Sequence, residues 1–591
     1  MYQTFDSASS PGQGPPRLTA LRGAMSAAGY DACLVPRADA HMGEYVAACD
    51  ARLQWLTGFS GSAGFCAVTP GTAAVFIDGR YRVQVRAEVD LDHFTPVHWP
   101  ETTLADWLIA QMPDGGIVGF DPWLHSIDEL CRLREKLDPA GVVLRPGPNL
   151  IDPLWPDRPA RPRAPIRVQP DDLTGESHAE KRARLADPDA HTILTLPDSI
   201  CWLLNIRGGD TPRNPVVQAF AVLDPRGAVA LFTDAPTDPA MRAHFGDAVT
   251  VHPYDGLTGY LSATDAAFRL DPKSAPEALR LTVPDATDAA DPCILPKARK
   301  TPAEIAGARA AHLRDGAAMV RFLAWLDAEA PKGGLTEIDV VTALEGFRRD
   351  TNALQDISFD TICGAGPNGA IVHYRVNRAS NRPVRTGELL LVDSGGQYRD
   401  GTTDITRTVI VGTPAPEHRA CYTRVLQGVI AISRARFPVG VAGCHLDALA
   451  RYPLWIAGMD YDHGTGHGVG SYLSVHEGPA GLSRRTDTPL EPGMILSNEP
   501  GYYREGGFGI RIENLIVVQD AAPLPGGDAR KMLAFDTLTH VPFDRRLIDT
   551  DLLSRAERDW IDRYHAATFA LIGPQVDGAA HGWLTAACAP L

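Results

Sequence analysis

Short apolar stretches bounded by turn residues alternate with stretches of helical period through the first part of the chain. Residues 18–28 read as a helix, 32–35 as a short strand and 73–77 as another. Eight prolines then fall between Pro146 and Pro170. Each restrains φ and removes a backbone donor, so neither helix nor sheet absorbs that density, and the stretch reads as a domain junction. A second α/β run follows, with strand-like segments at 192–196, 216–223 and 228–233. Another boundary lies near 295–301. Thr301 can cap a helix, Pro302 suits its first turn and Glu304 completes a capping box. Ile305, Leu313, Val320 and Leu323 return at helical spacing, so the third segment opens on a long helix. Ser554 and Glu557 repeat the capping box ahead of a helix bearing Trp560, Tyr564 and Ala567. That helix either packs on its own domain or meets a second copy of the chain. A chain of 591 residues exceeds one hydrophobic core. The pattern divides it into 1–155, 156–298, 299–525 and a C-terminal extension, 526–591.

The third segment concentrates acids on apolar strands. Residues 388–393 read as a buried strand ending in Asp393, and Asp404 opens another. Residues 494–499 and 509–513 read as two strands joined by a Gly-rich turn, bearing Glu499 and Glu513. Residues opposite each other in an antiparallel pair lie about 5 Å apart, so each hairpin can offer two carboxylates to one point. A two-residue turn at Asp400-Gly401 would leave Asp404 about four residues, roughly 13 Å, out of register with Asp393. Convergence therefore predicts an irregular connection over 394–403, where Gly395, Gly396 and Gly401 give the backbone freedom. Four crowded carboxylates need counter-charge, which two divalent cations would balance.

Between the acidic pairs runs His463-Gly-Thr-Gly-His467-Gly-Val-Gly. The histidine spacing matches that of a helical zinc motif. However, no Glu follows His463, and glycines at 464, 466, 468 and 470 would each cost a helix about 1 kcal/mol. The segment reads as a loop. Arg511, two residues from Glu513 on the same strand face, can brace a ligand carboxylate.

Composition narrows the classes. With 44% hydrophobic and 22% charged residues the chain is an ordinary globular protein. A net charge of −16 argues against nucleic-acid or anionic-membrane partners. No apolar run approaches the roughly 20 residues that span a bilayer. Met1 to Pro16 is polar and lacks a secretory pattern. The 10 cysteines are dispersed without a C-x-x-C, as expected of reduced core thiols in the cytoplasm. Gly58-Phe-Ser60-Gly-Ser62 breaks the nucleophile-elbow pattern, and Gly61 to Gly64 lacks the lysine of a phosphate loop.

Taken together, the motifs resemble the aminopeptidase P branch of the creatinase and methionine aminopeptidase superfamily. The likeness is carried by His373-Tyr374 and by Asp393-Ser-Gly-Gly-Gln-Tyr-Arg-Asp-Gly-Thr-Thr-Asp404-Ile-Thr-Arg-Thr. It continues through His463 to His467, Val475-His476-Glu-Gly-Pro, Asn498-Glu499-Pro-Gly-Tyr-Tyr and Gly509-Ile-Arg-Ile-Glu513-Asn. It extends to Gly43–Asp50, Thr57–Gly64, Phe535-Asp-Thr-Leu-Thr and Pro542-Phe-Asp, and is similar to the long, three-domain cytosolic form.

The resemblance implies an α/β (α+β) fold: two creatinase-type N-terminal α/β domains of shared fold, then a pita-bread metallopeptidase domain with two pseudo-symmetric halves. It implies two divalent metal ions, usually manganese, held by Asp393, Asp404, His467, Glu499 and Glu513. Ligand type alone leaves cobalt, iron and zinc open. It further implies a metal-bridging hydroxide as nucleophile, Glu499 as proton shuttle, and His373 on the tetrahedral intermediate or the departing nitrogen. His463 and His476 would line the side that receives proline. The substrates would be peptides with proline at the second position, and the assembly a homodimer formed through the third domain and tail. Two alternatives are a prolidase restricted to Xaa-Pro dipeptides and a non-catalytic peptide-binding relative.

Overall fold

The computed structural model describes residues 1–7 and 10–591. The chain forms two compact units, one of Ala8–Pro170 with Glu176–Cys293, the other of Met1–Ser7, Asp171–Gly175 and Ile294–Leu591.

In the first unit the same sheet is built twice. Strands β1 (Ala32–Pro36), β2 (Phe65–Val68), β3 (Ala73–Ile77), β4 (Thr95–His98), β5 (Gly116–Phe120) and β6 (Val142–Pro146) lie in the order β4-β3-β2-β1-β5-β6. Strands β7 (His191–Leu194), β8 (Phe220–Leu223), β9 (Val229–Phe232), β10 (Val249–His252), β11 (Phe268–Leu270) and β12 (Thr287–Asp288) repeat it as β10-β9-β8-β7-β11-β12. Strand directions match as well: the first three strands of each copy pair antiparallel, and the outer strands add in parallel. The expected shared fold of the two upstream segments is therefore present. The strand expected over 216–223 is confined to Phe220–Leu223, although Val216 and Val217 are buried beside it.

The second unit carries the acidic hairpins. Helix α1 (Pro302–Glu329) starts on the expected capping box of Thr301 and Glu304 and presents Met319, Phe322, Leu323 and Leu326 to the core. It also holds a hairpin tip: Arg314 donates to both oxygens of Asp400, at 3.1 and 2.8 Å. Helix α2 (Glu337–Arg349) adds Arg348, which pairs with buried Asp315 of α1 at 2.7 Å. One sheet contains β13 (Ile362–Ala365), β14 (Leu389–Ser394) and β17 (Ile405–Ile410) in the order β13-β14-β17. Between β14 and β17 lie β15 (Gly396–Tyr398) and β16 (Gly401–Thr402). Helices α3 (Pro416–Ser433) and α4 (Gly443–Trp455) lead into the other half. There a larger sheet holds β18 (Gly466–Gly468), β19 (Glu477–Leu482), β20 (Ile495–Asn498), β23 (Asn514–Asp520) and β24 (Met532–Thr537), with a short edge strand at Arg436–Pro438. A two-stranded arm, β21 (Gly501–Arg504) and β22 (Phe508–Arg511), projects from it.

The tail helix α5 (Arg555–Ile572) uses the expected Ser554–Glu557 box and buries Ile561 and Tyr564 in the core of its own unit. None of the 10 cysteines forms a disulfide. Among the described residues no helix is long and apolar enough to cross a membrane.

Candidate metal centre

The first acidic hairpin shows where the irregularity expected over 394–403 lies. Strands β14 and β17 pair with Asp393 opposite Thr406 and Ser394 opposite Ile405. Beyond them β15 and β16 pair with Tyr398 opposite Gly401, in the same register. The turn is thus Arg399–Asp400, one residue earlier than Asp400-Gly401, and no slip occurs. Asp404 falls diagonal to Asp393 on the same face, a relation that spans about 7–8 Å between backbones. The irregularity is a bend, where the ladder is interrupted at Gly395 and at 403–404. A Cβ on Gly395 would lie 2.0 Å from the Thr403 carbonyl oxygen, so only glycine permits this approach.

The second hairpin is straight in register. Asn498 faces Asn514 on β20 and β23, and Gly501 faces Arg511 on β21 and β22. Glu499 and Glu513 therefore stand opposite each other at the junction between the two ladders. Thr406 ties the hairpins together: its hydroxyl donates to Glu513 Oε2 at 2.8 Å, and its carbonyl accepts from Glu513 N–H at 3.1 Å.

His467 sits on the three-residue strand β18, so the segment expected to be a loop is partly sheet. Gly466 must lack a Cβ, which would meet the Ser497 carbonyl oxygen at 2.0 Å. His467 Nδ1 lies 2.9 Å from the Gly468 carbonyl, which makes it the donor nitrogen and leaves Nε2 facing the acids. Nε2 stands 3.6 Å from Asp404 Oδ2 and 3.4 Å from Glu499 Oε1.

The site has the properties of an ion-binding cage. Donor atoms of Asp404, His467 and Glu513 all lie within 4.8 Å of one another. Asp393 Oδ1, Asp404 Oδ1 and Glu513 Oε1 are buried without a hydrogen-bond partner, which ordinarily costs a carboxylate more than 1–3 kcal/mol (roughly). Burial, reinforced by Asp404, Glu499 and Asp393, holds the Glu513 carboxyl well above its usual range. Burial also raises Glu499 and Asp393, opposed by Arg511 and, for Glu499, by His467. Burial would lower His467, but Asp404 and Glu499 outweigh it and raise the imidazole to about 9. Crowding of this kind calls for counter-charge, and hard oxygen donors with one imidazole fit divalent metal ions.

Arg511 is fully buried and braces a carboxylate of the site, as expected. Its Nη2 donates to Asp393 Oδ2 at 2.6 Å, across to the other hairpin, rather than to Glu513 beside it. Its Nη1 donates to the Tyr503 hydroxyl at 2.6 Å, and that hydroxyl lies 2.9 Å from His463 Nε2. His463 Nδ1 lies 2.8 Å from the Gly464 carbonyl. These contacts assign Nδ1 as donor and Nε2 as acceptor of the Tyr503 proton. His476 packs edge-on against His467 with ring centroids 4.2 Å apart. His373 is half-buried on the chain leading to β14, next to Val372, whose carbonyl accepts from Arg511 at 3.3 Å.

Sequence reading missed a buried charge cluster. Lys297 and Lys300 both pair with the carboxylate of Glu477, the former at 2.9 Å, and all three are buried. Glu477 follows His476 and faces Gly468 across a bulge that leaves residues 478–480 of β19 unpaired. The Lys-x-x-Lys spacing just before α1 was the available signal, but nothing local names its partner 177 positions away.

Comparison with known proteins matches the geometry. Residues 306–520 match the model of metallopeptidase family M24, and 531–591 the C-terminal region of that peptidase. Residues 17–154 and 157–304 each match a creatinase/prolidase N-terminal domain. Over 577 residues, 93% of this chain and 88% of the relative, the sequence is 39% identical to a probable Xaa-Pro aminopeptidase P of Aspergillus fumigatus. The chain belongs to the aminopeptidase P branch of metallopeptidase family M24. A relative of the same description in Paracoccidioides brasiliensis is 38% identical over 582 residues, covering 93% of this chain and 94% of its own. A crystal structure of an X-prolyl aminopeptidase from Caenorhabditis elegans, described as a cytosolic enzyme with a di-nuclear active site, superposes with a TM-score of 0.93 at 34% identity. That match covers 98% of this chain and 99% of the other. The M24 unit is thus the pita-bread metallopeptidase, preceded by two creatinase-type domains.

Proposed function

We propose that this M24 enzyme removes the N-terminal residue from peptides whose second residue is proline. The observation that carries the reading is the intact donor set around His467 Nε2, with three buried carboxylate oxygens that lack any protein partner. Asp393, Asp404, His467, Glu499 and Glu513 would hold two divalent ions, for which an oxygen-rich set favours manganese over softer metals. Such ions, when bound, polarise a scissile carbonyl and acidify an attacking water.

The chain's own groups supply the rest. The Glu499 carboxylate, fixed by the Ser497 hydroxyl at 3.0 Å, takes a proton from the attacking water and delivers it to the leaving proline nitrogen. His373 donates to the developing oxyanion or to that nitrogen. His463 and His476 line the side that receives proline. Arg511 holds Asp393 in place and balances its charge. Proline itself has no N–H and a restrained φ, so enzymes that bind substrate as a regular strand handle it poorly, and a dedicated peptidase has a niche.

The reading includes a homodimer and a cytoplasmic site of action. Leu449, Tyr452, Trp455 and Ile456 are exposed apolar residues along and just after α4, which supports a second copy docking on that helix. Cysteines free of disulfides throughout fit a reducing compartment.

The test strips the metal, restores manganese, and follows Arg-Pro-Pro beside Arg-Pro by mass spectrometry. Metal-dependent release of arginine, mainly from the tripeptide, is expected. Cleavage of the dipeptide alone would make the enzyme a prolidase. Cleavage of neither, with any divalent metal, would leave a peptide-binding role.

A further inference from the structure

Residues 1–7 are mostly polar, yet they belong to the M24 unit. Exposure alternates along them: Gln3 and Phe5 are buried, at 3% and 9%, while Thr4 and Asp6 face solvent. Glu345 of α2, itself buried, accepts the backbone N–H of Tyr2 at 2.7 Å and of Gln3 at 3.2 Å. The Gln3 amide engages the Thr361 backbone both ways. Thr361 N–H donates to Gln3 Oε1 at 2.8 Å, and Gln3 Nε2 donates to the Thr361 carbonyl at 3.3 Å. Arg378 N–H donates to the Phe5 carbonyl at 2.9 Å, and the Phe5 ring joins the core with Phe322, Ile362 and Val376.

Thr361 occupies a sensitive position. Ile362, the next residue, opens β13 directly opposite Asp393. Ser358, three residues earlier, grips both arms of the bent hairpin: its N–H donates to the Gly395 carbonyl at 3.1 Å and its hydroxyl to the Thr403 carbonyl at 2.9 Å. Gln3 therefore holds the backbone between two contacts with the hairpin that carries Asp393 and Asp404. Without residues 1–7, the amide and carbonyl of Thr361 and the amide of Arg378 would lose these buried partners, beside an empty aromatic slot.

We infer that the M24 unit contains a groove for an extended peptide segment with glutamine and an aromatic residue two positions apart. Residues 1–7 fill it in cis, and its occupancy positions the Asp393 hairpin. This goes beyond the peptidase reading and stands without it.

The test uses hydrogen exchange on the full chain carrying Gln3→Ala and Phe5→Ala together. Amides of Thr361, Ile362 and Asp393 should exchange at least about tenfold faster than in the parent, while α5 is unchanged. In parallel, a fluorescent Met-Tyr-Gln-Thr-Phe-Asp-Ser peptide should bind saturably to a chain lacking residues 1–7 and not to the full chain. Alanine in place of its glutamine should weaken binding by about tenfold. Unchanged exchange in the double variant overturns the inference, as does equal binding of the peptide to the truncated and full chains. If the truncated chain does not fold, the full-length variant decides alone.

Discussion

Two hairpins deliver the four carboxylates of this site, and they solve the same problem differently. In the Glu499/Glu513 hairpin the acids are directly opposed, so regular antiparallel pairing brings them together with no distortion. In the Asp393/Asp404 hairpin they are diagonal, and convergence relies on a bend at Gly395, a tip held by Arg314 and a buried guanidinium from the other hairpin. Register brings the straight hairpin's acids together, while the bent one depends on its surroundings for the same result. The Asp pair is therefore the more vulnerable to changes outside the site.

Removing one acid from either hairpin should abolish the distinction and give the largest effect. Asp404→Asn and Glu513→Gln should each lose several kcal/mol of transition-state stabilisation, roughly 10³-fold in kcat/KM, with metal content by mass spectrometry falling in step. Full metal retention in either variant would remove that residue from the donor set.

Gly395→Ala breaks only the bent hairpin. A methyl 2.0 Å from the Thr403 oxygen and 2.2 Å from the Ser358 hydroxyl forces backbone movement, with a loss of about 3 kcal/mol in unfolding free energy. An alanine variant with parental Tm would show that the bend is not constrained there.

Arg511→Lys sharpens the comparison by keeping the charge and losing the fork that joins Asp393, Tyr503 and the Val372 carbonyl. A decrease in metal affinity of about 10–100-fold is expected. An unchanged titration isotherm would assign Arg511 to packing alone.

The smallest effect concerns pH in the metal-free protein. Burial and mutual repulsion raise Glu513, Glu499 and Asp393, and their carboxylate neighbours hold His467 at about 9. Each folded pKa exceeds its unfolded value, so the folded state binds more protons and loses stability as pH rises. The His467 part is complete below its ordinary value of 6.5 and disappears as pH passes about 9. Manganese should therefore raise Tm by a few degrees more at about pH 8.5 than at about pH 6. Equal shifts at both would show that these raised pKa values do not bear on folding.

How legible all this is in the sequence depends on the range of the interaction. The capping boxes at Thr301 and Ser554 and the buried strand ending at Asp393 are local patterns, and each lies where periodicity puts it. The proposed donor residues come from the resemblance to the aminopeptidase P branch, carried by motifs that are themselves short and local. The turn lies at Arg399–Asp400 rather than at Asp400-Gly401, and its tip is held by Arg314 on α1, 86 positions away, a partner that no local pattern names. Arg511 reads as a brace for a nearby carboxylate, and which one it reaches is a long-range matter: its side chain crosses to Asp393, 118 positions back. Met1 to Pro16 reads as a polar stretch because burial of Gln3 and Phe5 depends on Glu345 and Thr361, which composition does not reveal.

The amino-acid sequence by itself determined the element types, the two α/β runs ahead of the third segment and the concentration of acids on its apolar strands. These rest on periodicity, capping and side-chain chemistry, all expressed over a few positions, while the shared fold of the two runs and the proposed metal donors came from the resemblance the motifs carry. Only the tertiary structure decided which face of the bent hairpin converges, which carboxylate Arg511 neutralises, how the two lysines secure Glu477, and that residues 1–7 brace the Asp393 strand. Each of those is a contact between positions far apart in the chain. Its energy comes from desolvating a charged or polar group that only a distant partner can satisfy.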